Sequence, residues 1–236
     1  MTLSIDQLIS KLGWYGKLPA GGDFFQRRLP IDVVEWWHRW LEQGLIVIKS
    51  DEKNVRNFLH APIWNFIIPA NFGSRTVQLG CIAPSRDRVG RLYPLLCTLS
   101  IPPEAYHEEI LLGSVRFYTN LGSALKSAVS HGCNPEQFER LVSAAHLSMT
   151  GMLPRATSEK PMDNAGDILS ILNEGHEKPP IENLNHPELT WRDLNAVFRP
   201  EGSNSFWWTS QATGAAYKSF VHGGMPNMSL FNTLFS

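Results

Sequence analysis

Three short apolar runs, Ile63 to Ile68, Thr76 to Ala83 and Tyr93 to Ile101, lie between stretches of helical periodicity. That succession restricts the chain to a fold in which helices cover a sheet. Pro69 stops the first run and Pro102-Pro103 end the third. Pro94 puts the start of the third at an edge or a strand end, because proline donates nothing to a ladder. Asn71-Phe72-Gly73-Ser74 joins the first two runs and predicts an antiparallel hairpin. Upstream, Val33, Trp37, Trp40, Leu41, Gly44 and Ile48 follow Pro30-Ile31-Asp32 at helical spacing, so 31–48 reads as an amphipathic helix. Gly44 weakens that helix unless a neighbour packs closely over it. Downstream, Glu104 to Ser130 reads as one long helix with Leu111, Val115, Tyr118, Leu125 and Val129 on one face, and Pro135 to His146 as a second. Residues 150–190 are more polar and carry Pro154, Pro161, Pro179, Pro180 and Pro187, which predicts an irregular or flexible stretch with one short helix around Ile168 to Leu172. Trp191 to Phe198 reads as helical. Ser205 to Thr209 and Ala216 to Val221 read as late strands, followed by a short C-terminal helix. Trp207 and Trp208 should face opposite sides of their strand, and both can be buried if helices cover both faces. The expectation is an α/β fold with helices on both faces of a mixed sheet.

Composition narrows the function classes. A chain of 236 residues fits one large domain or two small ones. With 43% hydrophobic and 18% charged residues it suits a globular fold, and a net charge of −1 gives no general attraction to nucleic acid or an anionic membrane. The three cysteines, Cys81, Cys97 and Cys133, are odd in number and widely spaced, which argues against a disulfide framework and for a reducing compartment. The first residues show no basic region followed by an apolar stretch, and no apolar run approaches the ~18 residues that cross a bilayer. These features predict a cytoplasmic protein with no direct membrane insertion.

Catalytic and metal signatures fail one by one. Gly16-Lys17 suggests a phosphate loop, but Lys11 stands five before Gly16 and Leu18 replaces the hydroxyl that would hold Mg²⁺. Gly21-Gly22 does not fit a dinucleotide fingerprint, His107-Glu108-Glu109 lacks the second histidine of a zinc-protease helix, and no Gly-x-Ser-x-Gly elbow occurs. His131 and Cys133 find no second pair at ligand spacing. The reading is therefore no catalytic residue, no metal and no cofactor.

Two segments concentrate glycine and proline beside charge: Gly13 to Phe24, and Pro84-Ser85-Arg86-Asp87-Arg88-Val89-Gly90-Arg91. Read as loops, they hold polar side chains in definite directions and are candidate partner surfaces. Lys17 reads as an anion contact or a solvated lysine. Asp23 reads as a partner contact or general base, or as a turn and cap acceptor. Arg86, Asp87, Arg88 and Arg91 read as an anion-reading loop, or as an internal network in which Asp87 and Asp23 each pair with an arginine and pin the two loops together. Trp37, Trp40 and Trp64 read as core. Trp36 lies off the apolar stripe and is the one exposed-anchor candidate of that group. The eight histidines read as structural or solvated.

Several segments taken together resemble the TagF/ImpM family of type VI secretion-associated proteins. They are Gly-Trp-Tyr-Gly-Lys-Leu-Pro and Gly-Asp-Phe within 13–24, Leu29-Pro30, Trp40-Leu41, Gly44-Leu45, Ala61-Pro62-Ile63-Trp64-Asn65-Phe66, Pro84 to Arg91 with Tyr93-Pro94-Leu95, Phe206-Trp207-Trp208 and Gly224-Met225-Pro226. The resemblance is dense over 13–101, thin from about 105 to 200, and returns at the C-terminus; any one segment alone is weak. Small departures fall at Ala20-Gly21-Gly22 and Arg86-Asp87. The resemblance implies a three-layer α/β/α sandwich in one domain spanning 1–236. It also implies a non-enzymatic cytoplasmic accessory protein that represses type VI secretion post-translationally by binding a forkhead-associated scaffold protein. On the residues alone, two other functions stay open: a phosphopeptide-binding module whose arginines read phosphothreonine, and a hydrolase acting on a phosphoryl group with Asp23 as base or nucleophile and Arg86 or Arg88 stabilising charge. Partner surface and oligomeric state are not legible. The contact candidates are Lys17, Asp23, Trp36, Arg86, Asp87 and Arg88.

Overall fold

The computed structural model describes residues 3–153, 191 and 193–236. Its strands are β1 (Leu12–Lys17), β2 (Phe24–Arg27), β3 (Trp64–Ile68), β4 (Val77–Ala83), β5 (Leu95–Ile101), β6 (Asn204–Thr209) and β7 (Ser219–Gly223). They form one sheet in the order β2-β1-β5-β4-β3-β6-β7. Every described pairing is antiparallel, which corrects the expected mixed sheet. The reason lies in the connections. Neighbours β1–β2, β3–β4, β4–β5 and β6–β7 are joined without an intervening α-helix. The helical excursions join β2 to β3 and β5 to β6, which are not adjacent, so no crossover imposes a parallel pair.

The helices are α1 (Ile5–Ser10), α2 (Ile31–Ile48), α3 (Glu52–His60), α4 (Glu108–Leu112), α5 (Val115–His131), α6 (Pro135–Ala144), α7 (Leu194–Val197) and α8 (Met228–Phe235). Strand alternation divides the interior into two clusters. Trp14, Leu79, Cys81, Cys97, Leu99 and Trp208 meet Phe117, Leu121 and Phe138 from α5 and α6. Tyr15, Phe66, Ile82, Leu96 and Trp207 meet Trp37, Leu41, Phe58 and Phe231 from α2, α3 and α8. Trp207 and Trp208 are both buried and belong to different clusters, as the period of two requires.

Helix α2 occupies the residues that the periodicity predicted, with Val33, Trp37, Trp40, Leu41, Gly44 and Ile48 all buried. Gly44 is where α8 comes close: a Cβ there would lie 2.2 Å from the Phe231 ring. The long helix expected over 104–130 is broken. A 3-10 turn at Pro103–Ala105 is followed by α4, and α5 begins only at Val115. The break falls at Gly113, where the backbone of Gly151 approaches so closely that a Cβ would lie 1.7 Å from its carbonyl oxygen. Ser114 closes the gap by donating its hydroxyl to the Leu111 carbonyl at 2.6 Å.

The helix expected over 191–198 is the single turn of α7, and the last strand sits at 219–223, a few residues beyond its expected place. Neither α1 nor α3 was expected. Each starts on a side-chain cap: Ser4 accepts from Gln7 N–H, and Asp51 accepts from Lys53 N–H. The irregular stretch expected over 150–190 lies, from residue 154 onward, outside the described residues, as does its short helix.

Candidate functional site

The first glycine-rich segment is not a loop at its start. Residues 12–17 form β1, buried throughout and paired on both edges, with Trp14 opposite Arg27 on β2 and opposite Cys97 on β5. The glycines that suggested a loop serve close approach instead. Gly16 has φ 138°, and a Cβ there would lie 2.2 Å from the Pro94 carbonyl oxygen. β1 therefore ends beside the loop that leaves β4, and Lys17 points into that loop.

Lys17 is 5% exposed and Asp87 is 3% exposed. Lys17 Nζ donates to Asp87 Oδ2 at 2.7 Å, and Arg91 Nε donates to the same oxygen at 2.6 Å. Asp87 Oδ1 accepts from the backbone N–H groups of Arg91 at 2.8 Å and Val89 at 3.1 Å. Four donors thus fill the lone-pair directions of the carboxylate. Burial alone would raise the Asp87 pKa, but Lys17 and then Arg91 outweigh it and hold the carboxyl well below the usual range.

Further bonds lock the two segments. Ser85 Oγ donates to the Lys17 carbonyl at 2.8 Å, Arg88 N–H donates to the Gly21 carbonyl at 2.8 Å, and the Arg91 guanidinium donates to the Gly22 carbonyl. Gly90, at φ 89°, allows the turn that brings Arg91 back onto Asp87. The expected pinning of the two segments is present in part: Asp87 pairs with an arginine as expected, and Lys17 joins it, but Asp23 takes no part. Asp87 pairs with Lys17 and Arg91, while Asp23 is exposed and makes no side-chain hydrogen bond or ion pair among the described residues.

What the pin leaves on the outside is basic. Arg86 and Arg88 are exposed, and neither side chain has a hydrogen-bond or acidic partner among the described residues. Arg86 is anchored through its backbone, which bridges to Leu92. Exposed Val89 and Phe24 stand nearby, and Phe24 roofs the Lys17 ammonium with 5.0 Å from ring centroid to Nζ. Behind them a cavity of about 590 Å³ opens between Arg91 and Tyr93 on one side and, on the other, Glu42 and Ile46 of α2 with Lys49 just past its end.

Phe24 and Tyr93, in the wall of that cavity, belong to an aromatic set that sequence reasoning missed. Phe24 stacks on Tyr15 at 5.7 Å and meets Tyr93 edge-on at 4.7 Å. His38 Nδ1 lies 2.8 Å from the Tyr15 hydroxyl and 3.0 Å from the Tyr93 hydroxyl, and its Nε2 lies 3.3 Å from Glu42. With the proton on Nε2, facing the carboxylate, Nδ1 accepts from a tyrosine. Burial raises both tyrosine pKa values, so the hydroxyls stay neutral donors. The spacing of His38 and Glu42, four apart on α2, was the available signal.

Lys17 and Asp87 are thus enclosed, while Asp23, Arg86 and Arg88 remain at the surface. Trp36 is elsewhere. It is half-buried, edge-on to Trp37 at 5.1 Å and beside Gly73 in the turn that precedes β4, whereas the arginine loop follows β4. A seven-residue strand separates the two by roughly 20 Å. No cluster of three or more metal-ligating side chains occurs among the described residues.

The family model of the TagF N-terminal domain, described as type VI secretion system-associated, matches residues 13–145. The chain belongs to the TagF family. The matched stretch of this TagF-family chain contains every residue of the pin and every contact candidate, while β6, β7 and α8 follow it. No curated protein matches the chain. Among solved structures, the chain is similar to PA0076 from Pseudomonas aeruginosa PAO1, known from a crystal structure, with a TM-score of 0.62 and 22% identity over 95% of this chain and 94% of that one. At that identity the likeness concerns the fold. No described helix is long and apolar enough to cross a membrane.

Proposed function

We propose that this protein is a non-enzymatic cytoplasmic regulator of the type VI secretion system, a post-translational repressor that binds a forkhead-associated scaffold protein. The observation that carries the reading is the Lys17–Asp87–Arg91 pin, with Lys17 and Asp87 buried and Arg91 at the surface, which ties the loop down while leaving Arg86 and Arg88 exposed. A preorganised basic surface loses little freedom on binding, so it suits recognition of an acidic partner patch. Membership of a secretion-associated family supports the cellular setting. The two core clusters on opposite faces of the sheet support a three-layer α/β/α sandwich as the scaffold for this surface.

The same unpaired guanidiniums also suit a phosphoryl group, so a phosphopeptide partner is the second reading. It predicts tighter binding to a phosphorylated than to an unphosphorylated form of the scaffold, and equal affinity for both forms removes it. The phosphoryl-hydrolase reading rests on Asp23 with Arg86 or Arg88; all three are exposed, and no hydrogen bond among the described residues joins Asp23 to a second catalytic group.

The regulator reading is tested in cells. Deleting the gene should raise type VI secretion and overproduction should lower it. Unchanged secretion under both conditions would overturn it.

A further inference from the structure

A second cleft, of about 480 Å³, lies at the other end of α3, where β3 starts and β4 and β6 end. Leu59, Pro62, Ile63 and Val129 give it aliphatic wall, and Ser130, Thr209 and Thr213 add hydroxyl groups. Among the described residues its three ionisable lining side chains, His60, Lys126 and Lys218, are all bases. In a chain of net charge −1 this is a local arrangement, not a reflection of a generally basic molecule.

The cleft is also built rather than incidental. Lys126 reaches from α5 across the mouth to donate to the Thr213 carbonyl at 2.9 Å. Thr209 fixes the strand-end loop twice, donating to the Ala216 carbonyl at 2.7 Å and accepting from Lys218 N–H at 2.9 Å. Ser210 N–H donates to the Ile63 carbonyl at 2.8 Å, and Gly122 lets that serine press against α5. His60 Nδ1 is tied to the Arg56 carbonyl at 2.8 Å, and Nε2 has no hydrogen-bond partner among the described residues. The small residues Gly214, Ala215 and Ala216 then leave the space open.

We propose that this cleft binds a small organic anion with an aliphatic body, its head held by Lys126 and Lys218 and its chain lying along the apolar walls. The volume falls within the ~300–1,000 Å³ of small-molecule sites. A lining that combines aliphatic side chains with two lysines suits a ligand that is apolar at one end and anionic at the other. Pro84, the first residue of the arginine segment, lines the cleft, but Arg86 and Arg88 do not, so different substitutions test this proposal and the scaffold-binding reading.

The test compares octanoate with octanamide by calorimetry, with amide chemical shifts locating the site. Octanoate should saturate one site with a Kd below about 1 mM, and octanamide should bind about tenfold more weakly because a charge-assisted contact is lost. Lys218→Ala, which leaves the Lys126–Thr213 bond in place, should weaken octanoate about tenfold and leave octanamide unchanged. Ala215→Trp, which fills the cleft and keeps both lysines, should abolish binding of both. Shifts should concentrate on α5 and the 210–218 loop. Equal affinity for the two ligands, an unchanged Kd in Lys218→Ala, shifts confined to another face, or no saturable binding would each overturn the proposal.

Discussion

Lys17, the last residue of β1, and Asp87, in the loop after β4, are 70 positions apart in sequence and meet at 2.7 Å with both side chains enclosed. The contact exists because β1 and β4 flank β5 in the sheet, which brings the ends of both strands to one rim. Removing one partner of such a pair strands the other charge in the interior, at a cost of about 3–5 kcal/mol. Asp87→Asn should therefore lower the unfolding free energy by that amount near neutral pH, measured by denaturant titration. The depressed Asp87 pKa also sets an acid limb. The stability from this group is fully present above the unfolded value of about 3.9 and is lost as pH falls below it. Wild type should lose stability steeply below about pH 4, and Asp87→Asn should show a shallower decline.

The arginines of the same loop should separate into two kinds. Arg86 and Arg88 are exposed and unpartnered among the described residues, so Arg86→Ala/Arg88→Ala should change stability by no more than about 0.5 kcal/mol. Arg91→Ala removes a donor from Asp87 and from the Gly22 carbonyl and should cost about 1.5–3 kcal/mol, read from the same unfolding curves.

Gly44 tests the fit of α8 against α2. Alanine is the better helix former by about 1 kcal/mol, yet its Cβ would collide with the Phe231 ring. Gly44→Ala should destabilise by about 1–3 kcal/mol despite the propensity gain. A rise in thermal midpoint would show that Phe231 yields without cost.

Glu139 on α6 holds the other end of β1. It accepts from Trp14 Nε1 at 2.7 Å and from Arg28 Nη1 at 2.5 Å, and Arg28 is held at φ 56°, a conformation that costs a non-glycine residue about 1–3 kcal/mol. Glu139→Ala leaves the indole N–H without its partner and should cost about 1–3 kcal/mol, while Glu139→Gln keeps an acceptor and should recover part of it.

Legibility followed the range of the interactions. Helix α2 could be read because Trp37, Trp40, Leu41 and Ile48 carry a helical period, and the hairpin β3–β4 because a glycine turn joins two apolar runs. Strand β1 could not: Gly13 and Gly16 look like loop punctuation until Leu29 and Pro94 are seen pressed against them. The break at Gly113 depends on Gly151, and the antiparallel order depends on which strands the helices skip. At the site, the residue types of the pin were visible in the sequence. The choice of Lys17 over Arg86 or Arg88 as the partner of Asp87 was not, because it is fixed by strand alignment. Asp23 and Trp36 were singled out by local chemistry, and neither joins the pin.

The most direct test of the account is calorimetric titration of the forkhead-associated scaffold protein with wild type and with Arg86→Ala/Arg88→Ala, the fold of the variant being checked by circular dichroism. A folded variant whose affinity falls tenfold or more, about 1.4 kcal/mol, is the predicted result and places the partner surface on the pinned loop. A folded variant that binds the scaffold as tightly as wild type would contradict the account.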